Sequence, residues 1–147
     1  PKYKKIRMIP SSNLSDSFMN SELIYQDMVI RYINEYDYKI INEEIYNDNV
    51  CYVIESIPKE NISTYGKHRT WISKKDYLPL MEISYSKEMR PIKKKINYYN
   101  ENFKIDSLIV KNINTQSISS IRIIESNTDE EFNINDFNEL NLKRLPR

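Results

Sequence analysis

The chain has 147 residues, of which 39% are apolar and 29% are charged. This length is typical of one domain, and the apolar residues are mostly Ile and Tyr, which favour a pleated, half-buried surface. Basic and acidic residues nearly balance, 22 against 21, so the overall charge gives no support to nucleic-acid binding. No run of about 18 apolar residues occurs, so the sequence predicts no membrane-spanning helix.

Apolar and polar residues alternate with a period of two along most of the chain, which predicts eight strands at roughly ten-residue spacing. Before the second strand, Ser21 is predicted to cap a short helix that begins at Glu22, with Ile24 and Met28 on one side. Residues 29–33 fit either a helix or an extended segment. The predicted strands are residues 2–9, 36–46, 50–57, 67–73, 78–85, 89–99, 103–113 and 118–124.

Short polar turns join these strands and predict an antiparallel meander, curled as a sandwich or barrel. Asn47-Asp48-Asn49 tolerates positive φ and predicts a hairpin. A switch of the apolar face near Ile40 and Ile41 indicates either a β-bulge or a strand covered on both sides. Beyond an acidic loop at residues 125–131, residues 133–140 are predicted to form a short docking helix.

Single residues of reactive types limit the chemistry that the chain can perform. Cys51 is the only cysteine, so no intramolecular disulfide forms, and its apolar strand predicts a buried small hydrophobe. His68 is the only histidine, which excludes a His-rich metal site, and it is predicted to be a surface or half-buried residue. With one glycine, Gly66, no phosphate-cradling loop is present. The sequence therefore predicts no catalytic residue, no metal site and no cofactor.

Charged runs are predicted to be solvated, and the remaining candidate site is apolar. Lys93, Lys94 and Lys95 alternate between faces of a strand and are predicted to protect an edge or an exposed face. A curved sheet with few helices buries its apolar face only in part, and the rest would form a groove for an acyl chain or a partner protein. A closed sandwich would use the same residues for an ordinary core.

Four motifs together resemble the outer-membrane lipoprotein-sorting family of LolA/LolB-like periplasmic carriers, and most closely its longer uncharacterised bacterial branch. Phe137 and the segment from Leu140 to Arg147 resemble the end of that family. The motifs lie in the order of the family, and they are PKYKKIRMI at residues 1–9, SDSFMNSELIYQDM at residues 15–28, CYVIESIPK at residues 51–59 and WISKKDYLPL at residues 71–80.

The chain departs from the family pattern at three places. Asn20 stands where the family usually has Gly, Glu22-Leu23 replaces Asp-Phe, and Asn49 replaces the turn Gly after Asp48. Asn readily adopts positive φ, so we expect both turns to persist. The resemblance also predicts one domain over residues 1–147 that corresponds to the C-terminal two-thirds of the family fold and lacks its N-terminal helix and first strands.

The resemblance implies a mainly β, half-barrel antiparallel sheet with a few short helices that cover its concave face. It implies a non-enzymatic periplasmic carrier, although no signal peptide is present in the sequence, and it leaves membrane association open. Trp71 and the Tyr77-Leu78-Pro79-Leu80 segment would shape a corner between strands. The candidate groove residues are Phe18, Met19, Tyr25, Met28, Trp71, Met81, Ile83, Tyr85, Ile96 and Tyr98.

The implied partners are lipoproteins or lipid acyl chains, together with an inner-membrane release complex or an outer-membrane acceptor. A regulatory or sensory module of the same fold that binds a membrane regulator protein is the alternative function. An enzyme on a β-scaffold is the third class. An open sheet edge would also allow self-association of two copies.

Overall fold

The computed structural model describes residues 9–60, 62–126 and 133. Seven strands form one curved, unclosed antiparallel sheet in which each strand pairs with its neighbours in sequence. The predicted mainly β fold class is confirmed. The strands are β1 (Tyr36–Tyr46), β2 (Asn49–Pro58), β3 (Lys67–Ser73), β4 (Pro79–Tyr85), β5 (Pro91–Tyr99), β6 (Ile105–Asn112) and β7 (Ile118–Arg122).

The segment before β1 contains three short 3₁₀ helices, Ser11–Asn13, Tyr25–Met28 and Ile33–Glu35. The helix predicted to begin at Glu22 therefore begins three residues later and has only four residues. Ser21 does not cap it, because the Ser21 hydroxyl accepts the Leu23 N–H and donates to the Phe18 carbonyl instead. The side chain of Asp27 accepts the N–H of Ile24, the residue before the helix.

Seven of the eight predicted strands are present. The other one, at residues 2–9, lies outside the described residues except for Ile9, which is not in a strand. The predicted helix at residues 133–140 also lies outside the described residues, apart from Asn133.

The β1–β2 hairpin forms as the sequence predicts, with a correction to its turn. Asn47 and Asp48 adopt φ of 46° and 62°, whereas Asn49 does not adopt positive φ. The expected positive φ is found at Asn20, where φ is 57°. Asn and Asp tolerate this region because their short side chains hydrogen-bond locally.

The predicted β-bulge lies at Ile41. Ile40 pairs with Ile54 and Asn42 pairs with Val53, so one extra residue stands in β1. This insertion returns Ile45 to the face that carries Ile40, and without it Ile45 would point to the opposite side.

The sheet has two chemically different faces. The covered face is the one that packs against residues 14–31, the covering segment, and it carries Glu82 and Lys93. The Trp71 face is the opposite one, because side chains alternate along each strand. It holds the apolar core cluster of Cys51, Val53, Trp71 and Met81, against which Tyr46, Leu80, Ile83 and Ile96 pack.

Gly66 and Cys51 have structural roles. A Cβ atom at Gly66 would overlap the Ser86 carbonyl oxygen, so only glycine fits where β3 begins beside the end of β4. Cys51 is fully buried, as predicted, and burial raises the pKa of its thiol.

Candidate functional site

An apolar row crosses five adjacent strands on the Trp71 face. Successive members are direct cross-strand partners, so their side chains stand next to one another on the same face. The members are Val53 on β2, Trp71 on β3, Met81 on β4, Ile96 on β5 and Ile109 on β6.

Exposure along this face increases toward β7. Trp71 and Met81 are buried, whereas Tyr98 on β5 and Ile118 on β7 are 42% and 62% exposed. A cleft of about 310 Å³ lies at one end of this face, where Tyr46, Leu80, Tyr98 and Phe103 contribute to its lining. Large apolar side chains grouped in this way mark a binding surface more often than scattered ones do.

The side chain of Trp71, the second member of this row, is held in place by a hydrogen bond and by packing. Its indole Nε1 donates to Glu44 Oε2 at 2.8 Å, and its ring packs in the core cluster. The predicted corner after Trp71 is the β3–β4 connection, where Tyr77 has φ of 56° and its N–H donates to the Ser73 carbonyl.

The structure separates the predicted groove residues into two groups. One group lies on the Trp71 face, and the other lies on the segment that packs against the covered face, so the sheet stands between them. Phe18 and Tyr25 contact each other edge to face at 5.8 Å, and Met19 and Met28 are exposed. The group on the Trp71 face is Trp71, Met81, Ile83, Tyr85, Ile96 and Tyr98.

The covered face contains a buried ionic cluster around Glu82. The Arg31 guanidinium donates two hydrogen bonds of 2.8 Å to the two carboxylate oxygens of Glu82. Thr70 Oγ1 donates to Glu82 at 3.1 Å, and Lys95 Nζ lies 3.1 Å from it. Burial alone would raise the pKa of Glu82, but Lys95 and Arg31 outweigh burial and hold the pKa well below its usual range.

A second buried cluster joins the covering segment to β5. Lys93 Nζ donates to Asp27 Oδ2 at 2.6 Å and to the Tyr65 hydroxyl at 2.7 Å, and that hydroxyl donates to Asp27 Oδ1 at 2.8 Å. Burial raises the pKa of Tyr65 strongly, and the Asp27 carboxylate adds to this increase. Each member of the triangle has a partner, as buried charges require.

His68 lies between the two clusters, and its predicted surface or half-buried position was wrong. It is 1% exposed, not at the surface, and its Nδ1 lies 2.9 Å from Ser84 Oγ and 3.6 Å from Glu82 Oε1. Burial lowers the pKa of His68 to about 4, so the ring is neutral at pH 7. The nearby Glu82 carboxylate raises the pKa of the ring, but burial outweighs this effect, and Arg31 and Lys95 lower the pKa further.

The prediction for the lysine run was also wrong for Lys93 and Lys95. Their alternation with Lys94 is correct, but β5 is an interior strand, and both residues face the covering segment. Glu82 is a buried ion-pair residue that was not predicted from the sequence. The available signal was a lone Glu between Met81 and Ile83, two apolar residues of one strand.

Beside the Lys93 triangle, a cleft of about 660 Å³ with both polar and apolar lining residues opens between the covering segment and the ends of β5 and β6. Glu22 lines it and accepts hydrogen bonds from Asn112 and Ser117, which lower the pKa of its carboxyl. Within residues 9–60, 62–126 and 133, no group of three or more His, Cys, Asp or Glu is placed to hold a metal ion. No helix in the same residues has the length and apolarity that crossing a membrane requires.

Comparison with known proteins defines the family of the chain. Residues 1–144 match a family model whose description reads "Uncharacterized protein", and the chain belongs to that family. A comparison with curated proteins finds no match.

Solved structures show the same fold and confirm the resemblance predicted from the sequence. A domain from Vibrio parahaemolyticus that is assigned to outer-membrane lipoprotein sorting is 26% identical, with a TM-score of 0.84 over 92% of this chain. A DUF1329 family protein from Desulfovibrio piger is 25% identical, with a TM-score of 0.86 over 97% of this chain. This chain covers 60% and 62% of the lengths of those two structures.

A LolA superfamily protein from Nitrosomonas europaea shares the fold at 18% identity. Its TM-score is 0.65, and the match covers 74% of this chain and 51% of that protein. The chain thus has a LolA-like fold.

Proposed function

We propose that this chain is part of a periplasmic, non-enzymatic carrier that binds the acyl chains of lipids or lipoproteins in outer-membrane lipoprotein sorting. The observation that carries the proposal is the apolar row on the Trp71 face. It offers a continuous strip of cross-strand side chains that ends in exposed Ile and Tyr residues and a cleft. The fold shared with a domain assigned to lipoprotein sorting supports the same function.

The part of the covered face that carries the two ionic clusters is a poor site for an acyl chain. There, between the covering segment and β3 to β5, Arg31 binds Glu82 and Lys93 binds Asp27. An acyl chain inserted there would separate buried charges without replacing their hydrogen bonds, which costs several kcal/mol for each ion. We therefore place the acyl chain on the Trp71 face.

Two isoleucines provide a matched test. Ile118 lies on the Trp71 face of β7 and is 62% exposed, whereas Ile45 lies on the other face of β1 and is 76% exposed. We expect Ile118→Ser to weaken the binding of a fluorescent fatty acid by about threefold to tenfold, because about 1 kcal/mol of apolar contact is lost. Ile45→Ser should leave the affinity unchanged.

Delipidated wild-type protein supplies the control for both variants. Absence of fatty-acid binding to that protein would contradict the proposal. An equal loss of affinity in Ile118→Ser and Ile45→Ser would contradict the assignment to the Trp71 face.

A further inference from the structure

The part of the Trp71 face formed by β4 to β7 is positively charged as well as apolar. Lys94 on β5 is the direct cross-strand partner of Lys111 on β6, and both are half-buried. Arg122 lies on the same face of β7, opposite Ser107. These four strands contain two acidic residues. Glu82 lies on the covered face, opposite Lys95, and Asp106 stands at the register shift of β6, five residues along the strand from Lys111.

Within the part of the chain that the structure describes, these cations have no carboxylate partner, unlike the four basic residues on β3 and on the covered face of β5. Lys67 and Arg69 bind Glu55, and Lys93 and Lys95 bind Asp27 and Glu82. Among the described residues, no ion pair involves Lys94 or Lys111, and the one contact of Lys94 with an aromatic ring places its Nζ 6.0 Å from the centre of Tyr46. Like charges directly opposite each other in a sheet destabilise it, so the pair is unfavourable without an anion.

The two lysines adjoin the apolar row. Lys94 lies two residues from Ile96, and Lys111 lies two residues from Ile109, on the same face in each strand. A ligand with an acyl chain over Ile96 and Ile109 would therefore have its head within reach of two ammonium groups. Ammonium groups form strong, charge-assisted hydrogen bonds with carboxylate or phosphate oxygens.

We propose that Lys94 and Lys111 bind the anionic headgroup of a lipid whose acyl chain lies along the apolar row. This inference rests on the proposed function. It narrows the ligand of the carrier to lipids in which an acyl chain is attached to a negatively charged headgroup. Arg122, at the exposed edge of the same surface, adds to the positive potential that attracts such a lipid.

A pair of probes with the same chain and different heads tests the inference. Parinaric acid carries a carboxylate, and its methyl ester carries none, so binding to delipidated protein is measured for both by fluorescence at low ionic strength. We expect the acid to bind at least about tenfold more tightly, the affinity change of one charge-assisted contact of ordinary strength. Added salt should reduce this preference.

The double variant Lys94→Met/Lys111→Met keeps two unbranched side chains, each one atom shorter, and removes the repulsion between the two charges. It should bind the ester as the wild type does and lose the preference for the acid. Lys87→Met, at an exposed turn residue, is the control and should retain the preference. A Tm equal to or above that of the wild type would show that the double variant folds.

The other possible results of the binding measurements contradict the headgroup site, and one of them also contradicts the proposed function. Equal affinity of the wild type for acid and ester, or a preference that persists in the double variant, overturns the headgroup site while leaving acyl-chain binding in place. Binding of neither probe overturns both the headgroup site and the proposed function.

Discussion

Arg31→Met is the variant that most directly tests the role of the buried ionic cluster in holding the covering segment to the sheet. Arg31 lies in that segment and donates two hydrogen bonds of 2.8 Å to Glu82, whose side chain is 8% exposed. Removing one partner of a buried pair typically costs 3 to 5 kcal/mol, because the other charge stays buried. Lys95 still neutralises Glu82 in the variant, so we expect about 3 kcal/mol, at the lower end of this range.

Urea denaturation followed by the fluorescence of Trp71, the only tryptophan, measures this loss. The matched control is Lys74→Met, which removes an ion pair of nearly equal length, 2.9 Å, between side chains that are 34% and 54% exposed. Such a pair is screened by solvent and contributes little to stability, so Lys74→Met should lower the free energy of unfolding much less than Arg31→Met does.

Equal destabilisation by the two variants would refute the argument that burial makes the Arg31–Glu82 pair important. Hydrogen exchange gives a second readout. Amides such as Gln26 N–H, which donates to the Leu14 carbonyl, should lose protection in Arg31→Met before the strands do.

Three further predictions concern single residues. Gly66→Ala should lower the free energy of unfolding by about 1 to 3 kcal/mol, because the new methyl group overlaps the backbone of Ser86; an unchanged urea midpoint would contradict this. The folded pKa of His68, about 4, lies below the ordinary value of 6.5, so the unfolded chain binds the extra proton and stability should fall by up to about 3 kcal/mol as the pH drops from 6.5 to 4. His68→Gln should remove this part of the pH dependence, and a loss of the same size in the variant would exclude His68 as its source. Tyr77→Gly should stabilise the protein by about 0.5 to 1 kcal/mol, since Tyr77 is exposed at φ of 56° and glycine adopts this conformation without strain; a lower Tm would contradict this.

The sheet was predictable from the sequence because local rules determine it. Alternation with a period of two predicted the strands. Asn47-Asp48 predicted the hairpin, whose turn needs positive φ at both residues. The β-bulge was visible as a change of apolar face at Ile40 and Ile41. These signals lie within a few residues of the feature that they predict.

The buried ionic clusters were not predictable in the same way, because their partners lie far apart in the chain. Arg31 and Glu82 are 51 residues apart, and Asp27 and Lys93 are 66 residues apart. The covering segment has no regular period, so nothing local indicates which face of the sheet it covers. Without that information, Lys93 and His68 resemble ordinary surface residues of a strand.

The division of the predicted groove residues has the same origin. The family motifs give the order of Phe18, Tyr25 and Trp71 along the sequence. This order does not show on which side of the sheet each residue lies. The register does specify it, since Trp71 pairs with Met81 and Met81 pairs with Ile96 on a face away from the covering segment.

The most direct test of the account is whether a bound acyl chain lies against Trp71. A brominated fatty acid quenches tryptophan fluorescence only at short range, and this protein has a single tryptophan, which lies within the proposed strip between Val53 and Met81. We predict that brominated palmitate quenches Trp71 in a saturable manner, with unbrominated palmitate as the control that does not. Saturable binding of brominated palmitate without quenching would place the acyl chain elsewhere and contradict the account.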